Sequence, residues 1–595
     1  MSQTAPTRPA AGVDLNVVTL MIWAGLALVF ALPLRQSSPF DLLSTDDAMR
    51  LVEVRDLLAG QHWFDLFQHR LNPPAGLPMH WSRLVDAPLA LMILALRPFI
   101  GTTAAEAVTI VAWPLLLIGP ALFFVGRIAR HLAGPAAGLA ALILAAMSLP
   151  ALVHYQPGSI DHHNLQIVLT LGLTYGAMRL EDGWRYGLLA GLCAALSLAV
   201  GLEMLPALAA VGAVVALMTV LRGPAMAGPA RSFGLALAGC TALLSAVLVP
   251  PGSYGDAVSD ALGGPILLLA VGAGLALLGL AVAARRLASP IARAAVGLAC
   301  LAPTLAAFVL LFPDSLHSPY GTVDPLVDKL WLHAVSETIS VSQALRKMPQ
   351  ESFAIFGFPI LAMGAGALCL WRCGPRIRLP FAVASAAVLA HFAVSLWEVR
   401  GASAAALAAA PVLAAGIVLA LEARRLTTTL RVMLATLLVS PVSLLCAGGA
   451  FAAFAPAPPA PESEAAEPKP CPRIADAAPL AGLPQGRVMA FIDLGPAILA
   501  TSSHSVYAAP FHRNNDGNSA MFRIMMGSAE EARSLLQAKG ADYLAICPGS
   551  PEQANITKFA PDGLAARLAR GESLEFLQPI SLPGAGLVKA WRVVR

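Results

Sequence analysis

The densest chemistry in this 595-residue chain is Asp161-His162-His163, a carboxylate and two imidazoles in consecutive positions, all potential ligands of a divalent metal. Asp161 and His163 are two apart, and alternate residues of an extended segment point to one side. Both can therefore reach a common ion, with a third carboxylate brought by another loop. A carboxylate with an imidazole suits Mn2+, Fe2+ or Zn2+, and Mg2+ less well. The plain reading of the same residues is the polar start of a helix, because Asp is a good N-cap and complements the helix dipole. Asp46-Asp47 reads either as a solvated acidic pair or as a ligand or base with its neighbour. Glu337 ends the polar run Trp331-Leu-His333-Ala-Val-Ser336-Glu337 and is unremarkable by itself. Arg400 is either a snorkelling side chain paired with Glu398 or a phosphate holder, through its paired N–H donors. Glu203, His80, Arg83 and His162 are further candidates, for which a structural role is the plainer reading.

The elements that must position these groups are apolar. The chain is 57% hydrophobic and 12% charged, against about 25% charged in soluble domains. Its unbroken apolar runs reach the ~20 residues that a membrane span needs. A net charge of +4, 39 basic minus 35 acidic residues, does not suggest nucleic acid. Helices are expected at about 17–34, 104–126, 133–151, 164–178, 186–201, 203–221, 232–250, 260–283, 290–312, 353–371, 379–397, 402–421 and 430–452. Thirteen spans put the two termini on opposite sides. Loops of one parity carry Arg127 and Arg130, Arg179 and Arg185, Arg222 and Arg231, Arg285, Arg286 and Arg293, Arg372, Arg376 and Arg378, then Arg424, Arg425 and Arg431. The positive-inside rule makes those loops cytoplasmic, with the N-terminus inside and the C-terminus outside. The first apolar run follows only one basic residue, Arg8, and shows no small-residue cleavage site, so it reads as a retained anchor.

Every candidate group named above then falls on the outer face. The first outer loop, about 35–103, holds Asp46, Asp47, His80 and Arg83, and its part 86–100 reads as a helix lying at the interface. Residues 454–470, rich in Pro, Ala and Glu, form a linker between a membrane domain at 1–453 and a small α/β domain at 471–595. Strand-like Arg487–Ile492 and Tyr543–Ile546 and a helical piece near 528–539 build that domain, and Cys471 and Cys547 can pair there in an oxidising compartment.

With these residues in place, the chain resembles the catalytic subunits of oligosaccharyltransferases, membrane glycosyltransferases of the GT-C fold. In that family an Asp just after the first helix is followed nine residues later by Arg-Asp; here Asp46 precedes Arg55-Asp56 in that way, which selects Asp46 over Asp47. Asp161-His162-His163 is similar to the family's Asp-x-Asp or Asp-x-His metal motif, Ala334–Glu337 to its short motif ending in Glu, and Arg400 is placed like its donor-phosphate arginine. Phe491-Ile492-Asp493 stands where the family carries Trp-Trp-Asp, which reads the Ser/Thr of a glycosylation sequon; only Asp493, a possible acceptor-site residue, remains of it.

The resemblance implies a mainly α, polytopic GT-C membrane enzyme with a small extracytoplasmic α/β domain, in the cell (inner) membrane. It would move a sugar or glycan from a polyprenyl phosphate or diphosphate to an acceptor, which is a lipid or polysaccharide or a protein. A divalent metal ion, Mn2+ or Mg2+, would be held by Asp46, Asp161 and His163, with Arg400 on the donor phosphate and Asp46 and Glu337 activating the acceptor. The segment 313–352 is long enough for a substrate-ordered lid. The competing reading is a transporter or flippase of lipid-linked glycans. A transporter places ionisable groups near the bilayer midplane, whereas here the helix centres are almost free of charge.

Overall fold

The computed structural model describes residues 14–35, 38, 40–317, 323–333, 338–372, 374–426, 428–454, 474–583 and 587–594. Each of the thirteen apolar segments falls in helix. Among the described residues, nine helices are long and apolar enough to cross a membrane, ten if one bent pair counts as a span. The chain is a multi-pass membrane protein.

Three departures from expectation have local causes. The segments 104–126 and 133–151 are two helices as expected, within Thr102–Ala146, but the turn between them falls at Ala133 and Gly134 and not at 127–132. Gly134 takes φ 79°, which costs a residue without Cβ little, and the chain doubles back there. The two arms lie so close that a Cβ on Gly138 would sit 3.2 Å from the Gly126 carbonyl oxygen. The last segment divides into Thr429–Leu438 and Pro441–Phe454, bent by 43° where Pro441 cannot donate a helical hydrogen bond. The helix expected at 232–250 starts earlier, at Pro224, because proline is tolerated in a first turn whose N–H groups have no partner anyway.

Small residues set the centre of the bundle. In the helix Gly401–Ala423 every residue from Gly401 to Ala415 is buried, and ten of those fifteen are alanine or glycine, so neighbouring helices approach from all sides. By contrast, Arg293 is the single buried residue of the helix Pro290–Leu311, which leaves Leu298, Leu305, Leu310 and Leu311 exposed. The helix Arg83–Ile100 buries Val85, Leu89 and Ile93 and exposes Leu91 and Phe99; it is not among the spans.

The C-terminal unit has a five-stranded sheet of β3 (Arg487–Ala490), β4 (Ser505–Val506), β5 (Tyr543–Ile546), β6 (Leu577–Ile580) and β7 (Lys589–Val593), in the order β4-β3-β5-β7-β6. β3 runs parallel to β4 and β5, and β7 antiparallel to β5 and β6. The expected helical piece is Ala529–Lys539, started by a capping box between Ser528 and Glu531. Cys547 is disulfide-bonded; Cys471 and the linker 454–470, apart from Phe454, lie outside the described residues.

This unit is fastened to the segment 59–82, which carries the short hairpin of β1 (Phe67–Gln68) and β2 (Leu77–Pro78). Val506 N–H donates to the Arg70 carbonyl at 2.8 Å and Asn72 N–H to the Val506 carbonyl at 2.7 Å, so residues 70–72 cover the open edge of β4. The helix Leu494–Thr501 ends on two arginines from the membrane domain: Arg55 Nη1 donates to the Ala500 carbonyl at 2.6 Å, and Arg70 Nη1 to the Leu499 and Ser502 carbonyls at 3.1 and 2.8 Å. Cations at a helix C-terminus satisfy its orphan carbonyls and complement its dipole. Beneath these bonds Met49, Val52, Leu71, Leu77 and Trp81 share one apolar core with Met489, Phe491, Val506 and Phe511.

Candidate active site

A cavity of about 370 Å3 opens between this unit and the adjoining ends of the helices. Asp46, His80, His162, His163, Glu203, Glu398 and Arg400 line it, so four separate segments converge there.

The first segment separates the two adjacent aspartates. Ser44 caps the helix Thr45–Leu58, accepting Asp47 N–H at 3.1 Å and donating its hydroxyl to Asp47 Oδ2 at 2.7 Å. Successive helical residues point about 100° apart, and here Asp46 lines the cavity while Asp47 turns inward and is buried. Asp47 Oδ1 accepts the backbone N–H groups of Ile160 and Asp161 at 2.7 and 2.9 Å, which fixes the loop that carries Asp161. Burial, and next the charge of Asp161, push Asp47 up to about 7, against the opposing hydrogen bonds from Ser44 and the two backbone groups. Asp47 is thus a loop clamp, a role that its sequence position beside Asp46 did not reveal.

The second segment is built around Asp161, itself buried. His162 is the N-cap of the helix His163–Met178 and makes no side-chain cap hydrogen bond, so the loop is not held by the N-cap that Asp161 could have supplied. Instead Asp161 Oδ1 meets His162 Nδ1, and Asp161 Oδ2 lies 3.3 Å from His163 Nε2. His162 Nε2 faces Glu203 Oε1 at 2.9 Å, and Glu203 Oε2 accepts Gln166 Nε2 at 3.1 Å. Burial opposes charge on Asp161 and Glu203, but the His162 charge holds both well below the usual carboxylate range. Burial likewise opposes the His162 cation, yet Asp161 and Glu203 hold it well above the ordinary imidazole value.

This geometry divides the labour in the motif. The ligand atoms of Asp161, His162 and His163 lie within 4.8 Å of one another. Both nitrogens of His162 face carboxylates, which leaves Asp161 Oδ2 and His163 Nε2 as the free-standing donor pair. Two ligands each about 2.1 Å from one ion, at an angle of about 100°, lie roughly 3.2 Å apart, so the 3.3 Å pair fits a divalent ion. Asp46 is half-buried on the same cavity wall. Behind the pair, the fully buried Arg50 donates to Asp86 Oδ1 at 2.6 Å, sits over the Trp81 ring at 4.4 Å, and holds Nη2 3.9 Å from Asp161 Oδ1.

Arg400 lines the cavity, and its Nε donates to Glu398 Oε2 at 2.5 Å. The ion-pair reading of this arginine is therefore realised, without removing it from the cavity. Arg83 and Asp493 do not line the cavity. Arg83 is buried, bonded to Asp86 Oδ2 at 3.1 Å and to the Asp65 carbonyl at 2.6 Å, so it braces the outer loop. Asp493 is the N-cap of the helix Leu494–Thr501, with its backbone N–H 3.4 Å from Glu552 Oε2. Glu337 lies outside the described residues; its neighbour Thr338 lines the cavity, as does Trp331. Sequence reasoning missed His391, which the helix Pro375–Trp397 turns to the cavity wall. A lone histidine in an apolar run, seven residues before Glu398, was the available signal. It also missed Asp260 and His512.

No protein-family model matches the chain, and no curated protein matches its sequence. Solved structures match it in three dimensions. The archaeal oligosaccharyltransferase AglB from Archaeoglobus fulgidus, in complex with an inhibitory peptide and a dolichol-phosphate, superposes with a TM-score of 0.67 at 15% identity, covering 94% of this chain and 72% of that one. The Archaeoglobus fulgidus oligosaccharyltransferase complex with Zn and sulfate gives a TM-score of 0.62 at 15% identity, covering 98% and 73%. The same enzyme tethered to an acceptor peptide containing the NVT sequon gives 0.63 at 15% identity, covering 97% and 74%. Membrane helices and C-terminal unit together, this chain shares the fold of the archaeal oligosaccharyltransferase.

Proposed function

We propose that the chain is a membrane glycosyltransferase that moves a sugar or glycan from a polyprenyl phosphate or diphosphate to an acceptor at the outer face of the cell membrane. The observation that carries this reading is the shared cavity: Asp46, His163 and Arg400, 354 residues apart at the extremes, line one space beside Asp161. The dolichol-phosphate in the structure of like fold supports a lipid-linked donor. Sidedness is supported by the basic loops meeting one another away from the cavity. Arg127 Nη2 donates to Asn16 Oδ1 at 2.7 Å, Arg222 lies 3.5 Å from Glu181, and Arg293 Nη1 donates to the Val220 carbonyl at 2.9 Å. Against transport, the candidate site groups line one cavity at one end of the helices and are not spread along their middles.

In the reaction the bond between the anomeric carbon and the phosphate oxygen breaks, its electrons leave with the phosphate, and the acceptor heteroatom bonds to that carbon. Asp46 accepts the acceptor's proton, sharing that task with Glu337. Arg400 presents paired N–H donors to the donor phosphate, and Glu398 keeps its guanidinium oriented. His162, clamped between Asp161 and Glu203, prevents the metal-ligand loop from rotating, and Asp47 does the same from the backbone side. When bound, a divalent ion on Asp46, Asp161 and His163 would supply positive charge for the departing phosphate. The Zn in one structure of like fold supports such an ion. With Phe491-Ile492 in place of an aromatic pair before Asp493, a lipid or polysaccharide acceptor is favoured over a sequon protein.

The test is transfer by the purified chain in lipid vesicles, with polyprenyl-linked donor and cell-envelope acceptors. EDTA should stop turnover and Mn2+ or Mg2+ restore it; turnover that survives thorough chelation contradicts the metal role.

A further inference from the structure

On the wall of the same cavity a second cluster joins three side chains, from three parts of the chain, to which the proposed transfer gives no role. His80 comes from the first outer loop, Asp260 from the connection between the helices Pro224–Leu248 and Gly264–Arg286, and His512 from the C-terminal unit. His512 Nε2 lies 2.7 Å from Asp260 Oδ2, and the rings of His80 and His512 are 5.1 Å apart between centres. Arg513 takes the same carboxylate in a fork, Nε to Oδ2 at 2.8 Å and Nη2 to Oδ1 at 2.5 Å, and reaches the Pro78 carbonyl with Nη1 at 3.2 Å.

We propose that His80, Asp260 and His512 form a second divalent-metal site, of the Zn2+ class, which fastens the C-terminal unit to two outer loops at the cavity edge. One ligand atom from each residue lies within 4.8 Å of the others, close enough for a shared ion after small side-chain rotations. His80 Nδ1 is buried with no hydrogen-bond partner among the described residues, an orphan that an ion or its bound water would satisfy. With its proton on Nε2 the His80 ring can give its Nδ1 lone pair to an ion, and with its proton on Nδ1 the His512 ring can give that of Nε2. Each carboxylate oxygen has two lone pairs, so Arg513 can keep its fork while Asp260 binds the ion. Arg513 then orients the ligand from behind, as supporting groups of metal sites do. Two imidazoles and one carboxylate select Zn2+ or a similar transition metal, and not Mg2+ or Ca2+, which take oxygen ligands.

The test uses the full-length chain in detergent, with Asp161→Ala and His163→Ala introduced to remove the first candidate site, stripped with chelator and reloaded with Zn2+ alone. Elemental analysis should then find one zinc per chain, lost on adding His80→Ala or His512→Gln, and zinc should raise the thermal midpoint only where those two histidines are intact. Zinc absorption-edge spectroscopy of the Asp161→Ala, His163→Ala chain, which needs no change at the new site, should show scattering from imidazole ligands. A stripped and reloaded chain that retains no zinc, zinc unaffected by His80→Ala, or a spectrum without imidazole scattering would each overturn the proposal. None of these readouts depends on glycan transfer, so they succeed or fail apart from the catalytic reading.

Discussion

Asp46 and Asp47 are neighbours of one chemical type with separate tasks, and substitution should divide them. Asp46→Asn leaves the helix cap and the 160–161 loop untouched, so thermal stability should stay near wild type while transfer falls by about 100-fold or more. Asp47→Ala strands two backbone N–H groups, at about 1–3 kcal/mol, and should lower the thermal midpoint. Equal stability loss in both variants, read by thermal unfolding in detergent, would contradict the division. For Arg400, loss of a charge-assisted contact to phosphate, about 1.5–3 kcal/mol, translates to roughly 10- to 100-fold in donor affinity. Arg400→Ala should therefore raise the donor KM by that factor with little change for the acceptor; matched changes for both would remove Arg400 from the phosphate.

Among the elements, the helices were legible and the residues at which they break less so. Runs of Leu, Ala and Val mark where the chain must bury apolar surface, and every such run is helical. The reversal expected at Arg127 and Arg130 falls a few residues later, at Ala133-Gly134, because the turn is made by backbone freedom, which hydropathy does not record. Close packing is likewise encoded in single glycines. A Cβ on Gly187 would fall 2.2 Å from the Pro229 carbonyl oxygen, so the helices Trp184–Val200 and Pro224–Leu248 meet almost backbone to backbone there. Gly187→Ala should destabilise the chain by about 1–3 kcal/mol through overpacking, visible as a lower thermal midpoint. An unchanged midpoint would mean that this contact relaxes freely.

For the whole molecule, the resemblance carried by the spacing of Asp46 to Arg55-Asp56 and by the Asp161–His163 motif implied one site. What the sequence could not express is how outer segments separated by hundreds of residues are held together. The C-terminal unit completes the core under Trp81, and residues 70–72 cover its β4 edge in return, so a domain that reads as an appendage helps to build the cavity. His512 and Asp260 meet only through that docking, which is why neither was a candidate from its local sequence. The most direct measurement of the central claim is a comparison of glycans on envelope lipids, polysaccharides and proteins from cells carrying the wild-type chain or Asp161→Asn. The account predicts that one glycan-bearing species disappears while the variant is still inserted in the membrane at normal level. Identical glycan profiles from the two, with the variant present and folded, would contradict it.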